Sequence, residues 1–110
     1  MAKNYIQPGE TVTLAAPYAV TSGDGALVGA LFGVALVTLA NGASGEFKTT
    51  GVFDLTALTT DVIAVGAKCY WDNTNKRVTG TATGNTLIGV AVKAKANGDT
   101  TARVRLGQVF

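Results

Sequence analysis

The 110-residue sequence contains no histidine and a single cysteine, Cys69. Without histidine, Ser-His-Asp and Cys-His catalytic arrangements are excluded in their ordinary forms. One cysteine forms no internal disulfide, and one thiol without histidine does not build a zinc site. No Gly-Lys pair occurs, which excludes a P-loop for nucleotide phosphates. The acidic residues are scattered singly, mostly at turn positions. We therefore expect no enzyme activity, no cofactor, no metal site and no small-molecule substrate.

Charge is also sparse and unevenly distributed. The formal net charge is +2, too small to predict nucleic-acid binding by itself. Between Thr11 and Gly45 the only charged side chain is Asp24, whereas residues 93–105 carry four cations and one anion. The N-terminal residues lack the apolar core of a secretory signal, so we expect the protein to remain where it is made.

The longest uncharged apolar run covers residues 25–40 and has glycines at positions 25, 29 and 33. This spacing of small residues is typical of membrane helices. The run is nevertheless shorter than the ~20 residues needed to cross hydrocarbon. It has no flanking cations and ends in Asn-Gly, so a membrane span is the weaker interpretation.

An internal repeat supports a strand instead. Residues 31–42 return as residues 87–98, with seven of twelve positions identical. The second copy has Lys93 and Lys95 where the first has Val37 and Leu39, so the same pattern exists in a form that cannot span a membrane. Both copies end in Asn-Gly, which favours a type I′ hairpin turn. The alternation from Ala102 to Leu106 then predicts the returning strand of a β-hairpin.

Other segments follow the same alternation between turn residues. They predict strands over Glu10–Ala15, Glu46–Phe53, Lys68–Asp72 and Lys76–Thr79, about eight strands in all. Only Asp54–Thr60 favours a helical turn. We predict a mostly β fold, a small single-domain β-barrel or sandwich-like structure of short antiparallel strands and hairpins. Residues 1–9 form an extended N-terminal arm and residues 10–110 the β domain.

If the first copy of the repeat is a strand, both of its faces are apolar, because Leu36 and Val37 then point in opposite directions. Such a strand is either central in a sheet or covered by another subunit. We prefer self-association in a closed cyclic oligomer. The predicted subunit interface comprises Leu31, Phe32, Leu36, Val37 and Leu39.

Four cations fall on alternate positions of the second predicted hairpin: Lys93, Lys95, Arg103 and Arg105. Alternation places all four on one face of a basic ribbon. Such a face contacts nucleic acid or an acidic protein lattice, or is a solvated surface that discourages edge-to-edge pairing. The solvated surface is the preferred interpretation, because no aromatic residue for base stacking lies on that face.

The order of motifs resembles a family of phage and prophage head proteins interpreted as capsid cement or decoration proteins. The resembling segments are residues 2–9, 16–17, 20–24, 28–29, 31–35, 51–55, 70–72, 87–91 and 104–106. The resemblance implies a mostly β trimer on the outside of the assembled capsid, without a catalytic site, that reinforces joints between major capsid subunits. Family members have also been described as recombinase-like, but the missing Gly-Lys-Ser/Thr loop argues against that description.

These observations give a leading hypothesis and an alternative. The leading hypothesis is a structural virion protein, made in the bacterial host cytoplasm, whose partners are the major capsid lattice and its own copies. Membrane and nucleic acid are not expected as partners. The predicted capsid-contact arm comprises Ala2, Lys3, Asn4, Tyr5, Ile6 and Gln7. The alternative is a small β-barrel nucleic-acid-binding protein that uses the basic hairpin.

Overall fold

The computed structural model describes residues 10–108, and these residues form strands and turns without a helix. Nine strands are present: β1 Thr11–Ala15, β2 Gly25–Val28, β3 Leu31–Ala35, β4 Ser44–Lys48, β5 Gly51–Thr56, β6 Lys68–Asp72, β7 Arg77–Thr79, β8 Thr86–Ala91 and β9 Thr101–Leu106. The mostly β fold predicted from the sequence is confirmed. Within residues 10–108 no helix has the length and apolarity that a membrane crossing requires.

The strands form two antiparallel sheets, with orders β1-β4-β3-β2 and β5-β9-β8-β6-β7. The second sheet curls into a half-barrel, since a parallel bridge joins Ala57 to Val78 and brings the chain beyond β5 against β7. The helical turn predicted over Asp54–Thr60 is wrong. Its first three residues belong to β5, where pairing with β9 satisfies the backbone that a helix would otherwise satisfy.

The strand interpretation of the apolar run is confirmed for residues 25–35, because β2 and β3 pair there around a turn at Gly29, whose φ is +61°. One further prediction about local structure is wrong. The segment Glu46–Phe53 is not one strand. It crosses from β4 in one sheet to β5 in the other, and Gly51 makes that crossing with a φ of +111°.

The two Asn-Gly turns also differ from the prediction. Strands β3 and β4 pair as expected, and so do β8 and β9, but each connection is long. Gly42 and Gly98 have positive φ. Among residues 10–108, Lys76 is the only residue other than glycine that has a positive φ. Asn41 and Asn97 therefore keep negative φ. A positive φ only at the third position is the geometry of a type II turn, not type I′.

The repeat extends far beyond the twelve residues visible in the sequence. The first half of the chain (residues 11–48) and the second half (residues 51–106) have the same strand order, with β7 as an insertion in the second half. Three backbone hydrogen-bond patterns of the first half recur in the second. The bond from Gly23 N–H to Ala35 O matches that from Gly66 N–H to Ala91 O, and the bond from Gly42 N–H to Ala16 O matches that from Gly98 N–H to Thr59 O. The paired bonds between Val20 and Leu39 match those between Ile63 and Lys95. The fold is a duplicated four-stranded unit.

The main core lies between the two sheets. Phe32 and Val34 of β3 pack into the buried side of the second sheet, where the Phe32 and Trp71 ring centroids are 5.0 Å apart. A Cβ at Gly25 would lie 2.5 Å from the Phe32 ring, so a side chain there would displace the ring. Gln108 joins the halves, since its amide accepts from Phe32 N–H and donates to Leu87 O. A smaller core surrounds Phe47.

Candidate interaction surfaces

The first candidate surface is the loop after β3, residues 36–39, which we name the first apolar loop. Val20 and Leu39 exchange two backbone hydrogen bonds of 2.9 Å, which hold the loop against the segment before β2. The Ser22 hydroxyl donates to Leu36 O at 3.1 Å. Leu36 N–H donates to Glu46 O at 3.1 Å. The loop backbone is therefore fixed while Leu36 and Val37 remain 43% and 47% exposed.

The five residues of the predicted subunit interface do not form one surface. Phe32 is 1% exposed and belongs to the main core, so it is unavailable to a partner. Leu39 is half-buried in the smaller core, with its side chain over Gly45, and Leu31 is also half-buried. Only Leu36 and Val37 are well exposed. The prediction failed for Phe32 because the second sheet covers the face of β3 from which this side chain projects.

The second candidate surface is the equivalent loop after β8, residues 92–95, which we name the second apolar loop. Val92 is 40% exposed and donates its N–H to Arg103 O at 3.0 Å. Val65, in the segment that pairs with this loop, is also exposed. Lys93 occupies the position of Val37 in the first apolar loop and is exposed. The second loop thus combines apolar side chains with a cation.

Lys95 corrects the predicted basic face. Its side chain is 3% exposed, and its ammonium donates to three backbone carbonyls: Asp61 O at 2.7 Å, Thr59 O at 3.2 Å and Ala96 O at 3.3 Å. Lys95 occupies the position of Leu39 in the first half, and this position faces inward. The three backbone oxygens compensate the buried ammonium charge, since burial of a charge without hydrogen-bond partners is costly. Lys95 therefore does not join Lys93, Arg103 and Arg105 on an exposed face.

Arg103 and Arg105 do project outward from β9, but in different surroundings. The Arg103 guanidinium bonds both Asp54 carboxylate oxygens, at 2.9 and 3.2 Å. This hydrogen bonding holds the pKa of the Asp54 carboxyl below its usual value. Arg105 lies in a cross-strand row with Val90 and Lys68. Lys68 was not predicted to lie in this row. Its place at the start of an alternating strand was the feature of the sequence that could have indicated it.

A groove of about 480 Å³ lies where the two halves meet. The ammonium of Lys76 is 4.3 Å from the ring centroid of Tyr18, and the Tyr18 hydroxyl donates to Gly25 O at 3.0 Å. Burial raises the pKa of Tyr18. These contacts tie the β6–β7 hairpin to the first sheet, so the groove walls are held by interactions within the chain.

Within residues 10–108 no three His, Cys, Asp or Glu side chains converge where they would hold a metal ion. Burial raises the pKa of the Cys69 thiol to about 11, so the thiolate needed for nucleophilic chemistry is scarce near neutral pH. The predicted arm, residues 2–7, lies outside the described residues.

The described residues thus form two sheets whose hydrogen-bonded loops expose apolar side chains. Residues 6–106 match the sequence profile of the phage cement protein family, and the chain belongs to this family. The suspected family resemblance is thereby confirmed. Membership gives the protein a structural role in the phage capsid and makes it a component of the virion. Comparison with curated proteins and with solved structures gives no significant match.

Proposed function

We propose that this protein binds the outer surface of an assembled phage head as a homotrimer and stabilises the contacts between neighbouring major capsid subunits, without catalysis. The observation that carries the proposal is the pair of exposed apolar side chains Leu36 and Val37 on a hydrogen-bonded loop. Exposed apolar residues on a fixed backbone are suited to binding, since ordering the loop costs little at the moment of association.

A cement protein needs only modest affinity at each contact. Attachment of a trimer makes the second and third contacts intramolecular, which raises their effective concentration. Every copy that binds the assembled shell but not free subunits shifts the equilibrium toward the shell. A weak contact between each subunit and the shell is then sufficient.

The N-terminal arm belongs to the same proposal. Residues 2–7 precede the described part of the chain, and we assign them to the capsid contact. Deletion of these residues should leave folding and oligomer mass unchanged but weaken co-sedimentation with phage heads that lack this protein. Unchanged co-sedimentation of the deletion variant would exclude the arm from the contact.

The proposal as a whole is tested on heads prepared without this protein. Added protein should sediment with the heads and raise the temperature at which they disassemble. Leu36→Asp should reduce both effects, whereas Val52→Asp, at a valine 53% exposed on β5, serves as the matched surface control. Heads that disassemble at the same temperature with and without saturating protein would contradict a stabilising role.

The nucleic-acid alternative receives no specific support from the arrangement of cations. Lys95 is buried among backbone carbonyls, and Arg103 is engaged by Asp54. Charge reversal at Lys93 and Arg105 tests whether the other two cations of the predicted basic face bind nucleic acid. A nucleic-acid-binding protein would lose DNA affinity with a shallower salt dependence, whereas a cement protein shows no salt-dependent DNA affinity to lose.

A further inference from the structure

We propose that copies of this chain bind one another head to tail, with the first apolar loop of one copy packed against the second apolar loop of the next. In this contact Leu36 and Val37 meet Val92, and Glu46 faces Lys93. The inference rests on the self-association proposed above and requires nothing of the capsid.

The two loops share one backbone design. In each half the loop follows the inner strand, β3 or β8, and is held by a paired backbone bridge, Val20 with Leu39 or Ile63 with Lys95. The first residue of each loop donates its N–H to the returning strand. Leu36 and Val92 are therefore equivalent, and both side chains are exposed.

Equivalent positions beside the two loops carry different charges, and Asp54 and Asp99 also lie beside the second loop. The carbonyl that accepts from Leu36 N–H belongs to Glu46, and the carbonyl that accepts from Val92 N–H belongs to Arg103. An acid of the first half is thus replaced by a cation in the second. The position of Val37 is likewise taken by Lys93, an uncharged residue replaced by a cation.

The same asymmetry holds for each half as a whole. Residues 10–48 contain three acids and one cation, whereas residues 51–106 contain seven cations and four acids. Two first halves in contact would bring Glu46 toward Glu46, and two second halves would bring Lys93 toward Lys93. Juxtaposed like charges disfavour such contacts. The contact between unlike halves pairs Glu46 with Lys93 while it covers apolar side chains on both sides.

Symmetry leads to the same assignment. A two-fold dimer uses one self-complementary surface, but a cyclic trimer needs two different surfaces on every subunit. The duplicated fold supplies two different surfaces, the first and second apolar loops, with Glu46 beside the first and Lys93 in the second. A second copy of this chain is therefore the occupant that these surfaces fit.

The test uses two variants that each lose one surface, Leu36→Asp and Val92→Asp, and measures mass by light scattering without capsids. Wild-type protein should show the mass of a trimer. Each variant alone should associate at least about tenfold more weakly and be monomeric. Equimolar mixing should then give a one-to-one heterodimer, because the intact first loop of one variant meets the intact second loop of the other. Val52→Asp should keep the wild-type mass.

Two results would overturn the inference: a mixture that stays monomeric, or wild-type mass in either single variant. Far-ultraviolet circular dichroism checks folding, and Leu36→Ser with Val92→Ser is the milder pair if an aspartate variant fails to fold. Co-sedimentation of the monomeric variants with heads separates this inference from the proposed function. Monomeric variants that bind heads more weakly than the wild type, through lost avidity, support both proposals. Correct heterodimers from a protein that does not bind heads would contradict only the capsid proposal.

Discussion

Glu46 and Arg103 occupy equivalent positions in the two halves of the chain, with opposite charge. Each accepts, through its backbone carbonyl, the N–H of the first residue of an apolar loop, at 3.1 Å for Glu46 and 3.0 Å for Arg103. Each also bonds a neighbouring strand through its side chain: Glu46 accepts from Thr13 at 2.9 Å, and Arg103 donates to Asp54. The two halves share this backbone arrangement and carry opposite charges at this position.

Exchange of charges between the two surfaces should be reciprocal. Glu46→Lys alone and Lys93→Glu alone should each weaken self-association, because each places like charges across the proposed contact. A chain with both substitutions presents the opposite signs again and should regain most of the association. Light scattering at low salt measures this, and the differences should shrink as added salt screens exposed charges. A double variant weaker than both single variants would contradict the pairing.

Removal of the Lys95 ammonium should destabilise the fold. Lys95→Met keeps the length of the side chain but leaves three carbonyl acceptors without their donor, which should lower the free energy of unfolding by about 2 kcal/mol or more. Lys93→Met is the matched control, since Lys93 is exposed on the same loop. Urea denaturation followed by circular dichroism measures both variants. Equal stability of the two would show that the carbonyl contacts contribute little.

Gly89 should not tolerate a side chain. A Cβ at this position would lie 2.0 Å from Arg105 O, a backbone atom of the paired strand β9 that cannot move without breaking the sheet. Gly89→Ala should therefore cost about 3 kcal/mol or more, or prevent folding. Gly107→Ala has open space around its Cβ and should change stability by less than about 0.5 kcal/mol. Thermal denaturation compares the two, and similar transition temperatures would contradict the close approach.

Burial of Cys69 predicts a specific pH dependence of stability. The pKa of its thiol rises from an ordinary value of 9.0 to about 11 in the folded protein. Between these values the unfolded chain loses its thiol proton before the folded chain does. This contribution to stability is therefore complete below pH 9.0 and disappears as pH rises through about 11. The Cys69→Ala variant should lack this part of the loss of stability at alkaline pH. Denaturation of both proteins, measured across this pH range, tests the difference.

Thiol reactivity gives an independent check on the same residue. Near neutral pH, alkylation of Cys69 should be far slower in the folded protein than in urea, because the thiolate is scarce and the sulfur is buried. Equal alkylation rates in the folded and unfolded protein would show that the second sheet opens readily around Cys69.

Local patterns in the sequence predicted the strands well. The alternation over Ala102–Leu106 lies in β9, whose residues are buried and exposed in turn, and Lys68–Asp72 coincides with β6. Period-two alternation is a property of neighbouring residues, so it requires no knowledge of the rest of the fold. The twelve-residue repeat likewise indicated the common design of β3 and β8.

The environment of individual side chains was harder to predict, because it depends on distant segments. Alternation assigned Lys95 to an exposed face, but the chain leaves β8 after Ala91, and the carbonyls of Thr59 and Asp61 then surround its ammonium. The repeat held a usable signal, since Lys95 aligns with the apolar Leu39. Phe32 was assigned to a subunit interface because nothing local shows that the second sheet covers it.

The central claim is that this cement protein stabilises the assembled head. Calorimetry of purified heads, with and without saturating protein, tests that claim most directly. We predict a higher disassembly temperature with the protein bound, and a smaller increase for the chain that lacks residues 2–7. An unchanged disassembly temperature at saturating occupancy would contradict the account.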